Sequence, residues 1–175
     1  MTLFQKPYTL PFDLHRFMRE NEELLKTPPT NVKALWRDTD FIVFLVGGPN
    51  RRNDYHEDPH EEFFYQIKGD IHLNIMTDAG PDRIDIPEGN VFLLPPRLLH
   101  SPQRPDPSSV GIVVERVRPT EIFHWFCPKC HTHLHREERP VTDIEKDLPP
   151  IYQAFHDRHD KRLCPKCGTF HPGKD

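Results

Sequence analysis

Long apolar runs are missing from this sequence, and the longest, residues 41–46, is far too short to cross a membrane. The first residues, MTLFQKPYTL, lack the charged segment and the long apolar segment of a secretory signal. The net charge is −4, so there is no excess of positive charge for nucleic acid or membrane surfaces. We therefore expect a cytoplasmic protein that binds neither nucleic acid nor a membrane.

Glycine and cysteine are also scarce. There are 8 glycines against 20 prolines among 175 residues, which favours ordered loops and turns over long helices. The length suits one domain plus a small appendage and is sufficient to bury a core without help from a metal. In a reducing compartment, the four cysteines are better interpreted as thiolate ligands than as two disulfides.

The chain begins with a helical pattern and continues with strands. Residues 13–26 have a mostly apolar face at helical spacing, Asp13 can cap the first turn, and the prolines at 28 and 29 end the helix. From residue 33 to 118 short strands follow, and residues 70–77 alternate between apolar and polar side chains. Closely spaced strands without helices between them favour a mainly β fold, a sandwich or barrel.

Two strands are predicted to be central. Residues 41–46 are apolar at every position, as in a strand buried on both faces. The aromatic residues Phe63, Phe64 and Tyr65 are also expected in the core. His72, in contrast, is expected to be structural or to face the surface.

The composition changes near residue 121, after which all four cysteines lie. We predict a catalytic barrel with an N-terminal helix over residues 1–120. Residues 121–175 are predicted to form a small metal-binding appendage, with a short helix at 149–159 between the two cysteine pairs.

Two segments carry possible metal ligands next to turn glycines. Residues 47–69 contain His56 and Glu62, and residues 89–100 end on His100. Two imidazoles and one carboxylate can occupy one face of Fe(II) and leave positions open for substrate and oxygen. The sequence therefore predicts one catalytic metal ion, Fe(II), bound by these three side chains.

The two segments resemble the cupin motifs G-x5-H-x-H-x3,4-E-x6-G and G-x5-P-x-G-x2-H, which implies a jelly-roll-like β-barrel. Asp58 stands where most cupins have a second histidine, and Arg97 replaces a glycine. Asp58 and His60 stay open as alternatives to Glu62, because alternate residues of an extended segment point to the same side. Pro59 is expected to bend the backbone there.

The surrounding residues resemble the 3-hydroxyanthranilate 3,4-dioxygenase family, from the first helix to the last cysteine pair. The matching strings are VGGPN at 46–50, DYH at 54–56, EEFFYQ at 61–66, FLLPP at 92–96, HSPQRP at 100–105 and VVERVRP at 113–119. This resemblance implies an extradiol-type dioxygenase that opens the ring of 3-hydroxyanthranilate with O2. The product, 2-amino-3-carboxymuconate semialdehyde, cyclises to quinolinate, on the kynurenine route to NAD or in 2-nitrobenzoate degradation.

The same resemblance implies roles for three further residues and a homodimer. Arg52 and Arg104 match active-site arginines, and an arginine can bind the substrate carboxylate through two parallel hydrogen bonds. Glu115 matches an acidic residue that contacts the substrate. We assign Arg104 and Glu115 to substrate orientation and Arg52 to the substrate or O2 side. A buried Glu115 needs a partner, and Arg104 is able to supply it. The adjacent Arg51 is expected to face solvent.

Two Cys-Pro-Lys-Cys motifs indicate a second metal site. Its predicted ligands are Cys127, Cys130, Cys164 and Cys167. Four thiolates on such turns suit tetrahedral Zn(II) or Fe, and His131, His133 or His135 can replace one of them. In microbial members of the family this site is rubredoxin-like, which implies a structural role far from the ring-opening centre.

Two other functional classes stay open from the sequence. The first is a cupin that binds a metal or ligand without catalysis, such as a sensor. The second is a nucleic-acid module built on the cysteine motifs, where lysines and arginines are diluted by acidic residues.

Overall fold

The computed structural model describes residues 10–11, 13–27, 31–36 and 39–173. In chain order, its helices and strands are α1 (Leu14–Glu20), α2 (Glu22–Leu25), β1 (Val32–Ala34), β2 (Phe41–Gly47), β3 (Asp54–Glu57), β4 (Glu62–Lys68), β5 (Ile71–Thr77), β6 (Gly80–Ile86), β7 (Val91–Leu94), β8 (Leu99–Gln103), β9 (Val110–Arg116), β10 (Glu121–Phe126), β11 (His133–Arg139), α3 (Ile144–His156) and α4 (His159–Arg162). None of the described helices is long and apolar enough to span a membrane.

The predicted N-terminal helix is two short helices, α1 and α2. The Asp13 side chain accepts a hydrogen bond from the backbone N–H of Arg16 at 3.0 Å, which confirms the predicted cap. Asn21 leaves the helical region with φ −113° and divides the two helices. The prolines predicted to end the helix lie outside the described residues. Of the predicted apolar face, only Leu25 is buried. It lies so close to Gly47 that a Cβ atom on Gly47 would be 2.0 Å from the Leu25 carbonyl oxygen.

The strands form two antiparallel sheets, which confirms the mainly β prediction. One sheet has the order β1-β2-β9-β4-β7, and the other has the order β11-β10-β3-β8-β5-β6. The alternation predicted for residues 70–77 is found in β5, where Ile71, Leu73 and Ile75 are buried. The apolar core lies between the sheets.

The prediction of burial on both faces was confirmed for Phe44, Leu45 and Val46 of β2, and it was wrong at the start of β2 and at alternate positions of β4. Phe64 is buried, whereas Phe63 is half-buried and Tyr65 is exposed, because neighbouring side chains of β4 point to opposite faces. Likewise Phe41 at the start of β2 is 50% exposed. The outer face of the first sheet is therefore apolar and exposed to solvent.

The chain after residue 120 continues the second sheet. Strand β10 pairs with β3, with Phe123 opposite His56, and its other edge pairs with β11. The predicted helix at 149–159 begins earlier, at Ile144, because Asp143 caps it by accepting a hydrogen bond from the N–H of Glu145 at 3.0 Å. One sheet thus crosses the predicted boundary at 120/121, and the division into two domains stays a prediction.

Candidate active site and metal centres

The three predicted iron ligands come together from both sheets. His56 on β3 lies directly opposite His100 on β8 in the strand pairing, and Glu62 begins β4 of the other sheet. All three are buried, and their ligand atoms lie within 4.8 Å of one another. The short distance follows from the facing sheets, and it suits one shared metal ion.

The chemistry of these donors fits a divalent cation. His100 Nδ1 donates to the Leu98 carbonyl oxygen at 2.9 Å, which leaves the Nε2 lone pair free. Burial lowers the pKa of His100 to about 4, so its imidazole is neutral at pH 7. Glu62 Oε2 lies 2.8 Å from His100 Nε2, yet this buried oxygen has no hydrogen-bond partner among the described residues. A metal ion would satisfy both atoms.

The rival ligands Asp58 and His60 lie outside this cluster. Asp58 Oδ2 is 2.6 Å from Arg118 Nη1, and Asp58 Oδ1 accepts a hydrogen bond from the backbone N–H of His60 at 2.8 Å. The carboxylate of Asp58 is therefore engaged by an arginine. The assignment of His56, Glu62 and His100 as ligands stays a prediction that this geometry favours.

A cavity of about 580 Å³ opens beside the cluster and is lined by every residue predicted to contact iron or substrate. Apolar side chains from the core form one wall, among them Phe44, Phe64 and Val113. Helix α3 forms another wall through Leu148 and Tyr152. The volume suits a small aromatic molecule.

Arg104 is buried and lines this cavity. Its Nη1 donates to Gln66 Oε1 at 2.9 Å, while its buried Nε has no hydrogen-bond partner among the described residues. Burial lowers its pKa to about 10, so the guanidinium keeps its charge at pH 7. Gly111 leaves room for it, because a Cβ there would lie 3.1 Å from Arg104 Nη2 and 2.6 Å from Gln66 Oε1.

Arg104, the candidate partner of Glu115, does not pair with it. Glu115 Oε2 instead accepts a hydrogen bond from Arg118 Nη2 at 2.5 Å. Arg118 lies two residues beyond the end of β9 and folds back toward the cavity, whereas Arg104 bonds with Gln66. Burial and the neighbouring Glu62 carboxylate raise the pKa of Glu115, against the attraction of Arg118.

Arg52 lies across the cavity and pairs with the buried Asp54, to which its Nε donates at 3.2 Å. Its guanidinium is 5.6 Å from the centre of the Tyr152 ring and 6.0 Å from that of Phe123. Burial alone would lower the pKa of Arg52, but the charge of Asp54 raises this pKa above its usual value. Its neighbour Arg51 is exposed.

Sequence reasoning missed three residues of the site: Arg118, Glu121 and Tyr152. Glu121 Oε2 lies 2.7 Å from His56 Nε2 and 2.6 Å from Arg118 Nη2. Its hydrogen bonds and the charge of Arg118 lower the pKa of Glu121 despite the burial that raises it. The string VVERVRP carried a signal for Arg118, because it places an arginine three residues after Glu115.

The four cysteines form a second cluster, with their sulfur atoms within 4.8 Å of one another. The closest pairs, Cys127–Cys167 and Cys130–Cys164, are 3.5 Å apart, too far for disulfides. The backbone N–H of His131 donates to the Cys127 carbonyl oxygen at 2.9 Å, and Gly168 repeats this bond to Cys164 at 3.0 Å. Two equivalent turns thus present four sulfurs, which fits a tetrahedral metal ion.

Two of the three candidate substitute histidines are engaged elsewhere. His133 Nε2 lies 3.0 Å from His124 Nδ1, and His135 Nε2 donates to Glu137 at 2.9 Å. None of the three candidate substitute histidines belongs to the described cysteine cluster.

Two facing antiparallel sheets around a buried His–Glu–His cluster define a cupin-type protein with candidate metal-binding groups. The family model described as 3-hydroxyanthranilic acid dioxygenase matches residues 8–156. The chain belongs to this family.

Three relatives are named 3-hydroxyanthranilate 3,4-dioxygenase. The protein from Burkholderia cenocepacia is 49% identical, over 95% of this chain and 96% of its own. Those from Paraburkholderia phytofirmans and Shewanella woodyi are 47% and 48% identical, over 95% and 94% of this chain and 97% and 88% of theirs. Among solved structures, a cupin-2 domain containing protein from Shewanella frigidimarina shares 14% identity, with a TM-score of 0.45 over 57% of this chain and 92% of that one.

Proposed function

We propose that this chain is a ring-opening dioxygenase that converts 3-hydroxyanthranilate and O2 to 2-amino-3-carboxymuconate semialdehyde at one Fe(II) ion. The observation that carries the proposal is a buried His56–Glu62–His100 cluster beside a cavity whose lining includes Arg52 and Arg104. It stands in a chain that is 49% identical to an enzyme of that name. Under this proposal the enzyme acts in the cytoplasm and supplies quinolinate for NAD synthesis or takes part in aromatic degradation.

Bound iron would supply sites where the aromatic substrate and O2 exchange electrons. The protein orients the substrate. Arg104 offers a buried cation whose Nε–H has no partner among the described residues, which suits the substrate carboxylate. Glu115 can accept a hydrogen bond from the substrate amine or hydroxyl, and the apolar walls exclude water from the ring.

We assign the cysteine cluster to a second, structural metal ion, Fe or Zn. It joins β10, through Cys127, to the C-terminal segment that carries Cys164 and Cys167. Because α3 lies between the two motifs and walls the cavity, this metal would stabilise that wall.

We also propose a homodimer formed through the outer face of the first sheet. Two rows of outward side chains cross it, namely Val43–Val114–Phe63–Leu93 and Ile112–Tyr65–Val91. Leu93 is 58% exposed and Val91 is 63% exposed, which is unusual for adjacent apolar residues. Glu61 and Arg116 flank a shallow groove on this face, and neither has an ion-pair partner among the described residues. A two-fold axis would place Glu61 of one copy near Arg116 of the other.

The dimer surface is tested by the substitution Leu93→Glu, with Leu163→Glu as the matched control, since Leu163 is 54% exposed near the cysteine turns. Analytical ultracentrifugation should show a monomer for L93E and an unchanged dimer for L163E. A stable L93E dimer would contradict this surface.

The activity is tested on Fe(II)-reconstituted protein. Adding 3-hydroxyanthranilate should start O2 consumption together with the absorbance of the semialdehyde, while anthranilate, which lacks the ring hydroxyl, should start neither. A protein that binds iron and substrate but consumes no O2 would support a cupin without catalysis instead.

A further inference from the structure

Apart from Asp54, which Arg52 holds, four buried carboxylates lie near the candidate iron site, but only one completes a set of two histidines and one carboxylate. They belong to Asp58, Glu62, Glu115 and Glu121. Buried carboxylates without a partner are strongly destabilising, and any of these four is chemically able to bind Fe(II). The site therefore needs a device that leaves one carboxylate for the metal.

A single guanidinium engages three of them. The Arg118 side chain, 2% exposed, has Nη1 at 2.6 Å from Asp58 Oδ2. Its Nη2 is 2.5 Å from Glu115 Oε2 and 2.6 Å from Glu121 Oε2. Nη1 also donates to the carbonyl oxygen of Arg116 at 3.0 Å, which fixes the plane of the guanidinium.

The fourth carboxylate, Glu62, is the exception. No hydrogen bond or ion pair joins it to Arg118 among the described residues, and its Oε2 faces His100 Nε2 instead. The contacts of Arg118 thus divide the carboxylates into three that the arginine holds and one, Glu62, that it does not hold. Of the three, Glu121 also lies 2.7 Å from His56 Nε2, so Arg118 is the contact that sets it apart from Glu62.

We propose that Arg118 is a positioning residue that selects the carboxylate ligand and orients the substrate-binding glutamate. By holding Asp58, Glu115 and Glu121, it keeps them from the metal and leaves Glu62 as the ligand. The same contact fixes Glu115 where it meets the substrate. This inference rests on the proposed function. Lysine, a single point charge, cannot hold three carboxylates in this planar arrangement.

The orientation of Glu115 is tested by a double-mutant cycle on substrate affinity. The dissociation constant of 3-hydroxyanthranilate is measured by anaerobic titration of Fe(II)-loaded wild type, R118M, E115Q and E115Q/R118M. We expect R118M and E115Q each to weaken binding about tenfold, the value of one charge-assisted hydrogen bond. The double variant should be no weaker than the weaker single variant, because both remove one interaction.

Two results would overturn the proposal. One is a double variant whose loss of affinity equals the product of the two single losses, and the other is an unchanged affinity in R118M. R83M is the matched control, since Arg83 is exposed and pairs with Asp85 on β6, away from the cavity. R118M leaves three carboxylates without a cation and is at risk of not folding. In that case the same titration is done with R118K, which keeps the positive charge, and with D58N/E121Q/R118M, which removes two of the negative charges. R118K should recover part of the affinity.

The ligand set is tested by the electron paramagnetic resonance signal of the Fe(II)–nitric oxide adduct, with Zn(II) in the cysteine site. We expect R118M to change the signal and D58N/E115Q/E121Q/R118M, which removes the charge of all three released carboxylates, to restore the wild-type one. An R118M signal identical to that of wild type would contradict the proposal that Arg118 selects the carboxylate ligand. If wild type neither binds nor consumes substrate, the proposed function fails; if wild type is active and R118M matches it, only this inference fails.

Discussion

Substituting Arg104 by lysine tests how the cavity binds the substrate carboxylate. Arg104 is buried, its Nη1 is engaged by Gln66, and its Nε has no partner among the described residues. A guanidinium can give a carboxylate two parallel hydrogen bonds, whereas an ammonium acts as one point charge. Losing one charge-assisted bond costs about 1.5–3 kcal/mol, which corresponds to about a 10- to 150-fold weaker interaction.

The assay is steady-state turnover at saturating O2 while the 3-hydroxyanthranilate concentration is varied. We expect R104K to raise KM by about that factor and to change kcat much less, because the carboxylate is bound equally in the ground and transition states. R83K, an exposed arginine on β6, is the control. A KM for R104K within twofold of wild type would refute the role of Arg104 as the carboxylate anchor.

Three other changes have defined outcomes. Gly111→Ala places a methyl group 2.6 Å from Gln66 Oε1, so thermal unfolding should show that the free energy of unfolding falls by about 1–3 kcal/mol. The KM should also rise, because Arg104 is displaced. An unchanged stability and KM would show that the neighbouring side chains move aside to accommodate the methyl group. His131 has φ +58°, so H131G should raise the melting temperature by about 2–4 °C, and a decrease would contradict strain at this turn. Cys164→Ser should cost the protein one metal ion per chain, measured by elemental analysis, and lower its melting temperature; full metal content would contradict the four-sulfur site.

Much of the fold and site was predictable, because it depends on local periodicity and spacing. The alternation of residues 70–77 determines which side chains of β5 are buried. The positions of His56 and His100 on neighbouring strands follow from two motifs that each contain a turn and a strand. The cysteine pairs sit on short turns whose geometry does not depend on the rest of the chain.

The features that were missed depend on contacts between distant segments. Arg118 reaches Asp58 only because the chain turns back after β9, and no local pattern encodes that return. Helix α3 walls the cavity because β10 continues the second sheet and brings the following segment over the barrel. The break at Asn21 reflects a change of backbone conformation that apolar periodicity does not reveal.

The most direct test of a ring-opening iron site at His56, Glu62 and His100 is O2 uptake by Fe(II)-reconstituted H56A. Its matched control is H72A, since His72 lies on β5 and is not among the residues that line the cavity. Wild type and H72A should consume one O2 for each 3-hydroxyanthranilate, and H56A should consume none above background. Wild-type O2 uptake by folded H56A would contradict it.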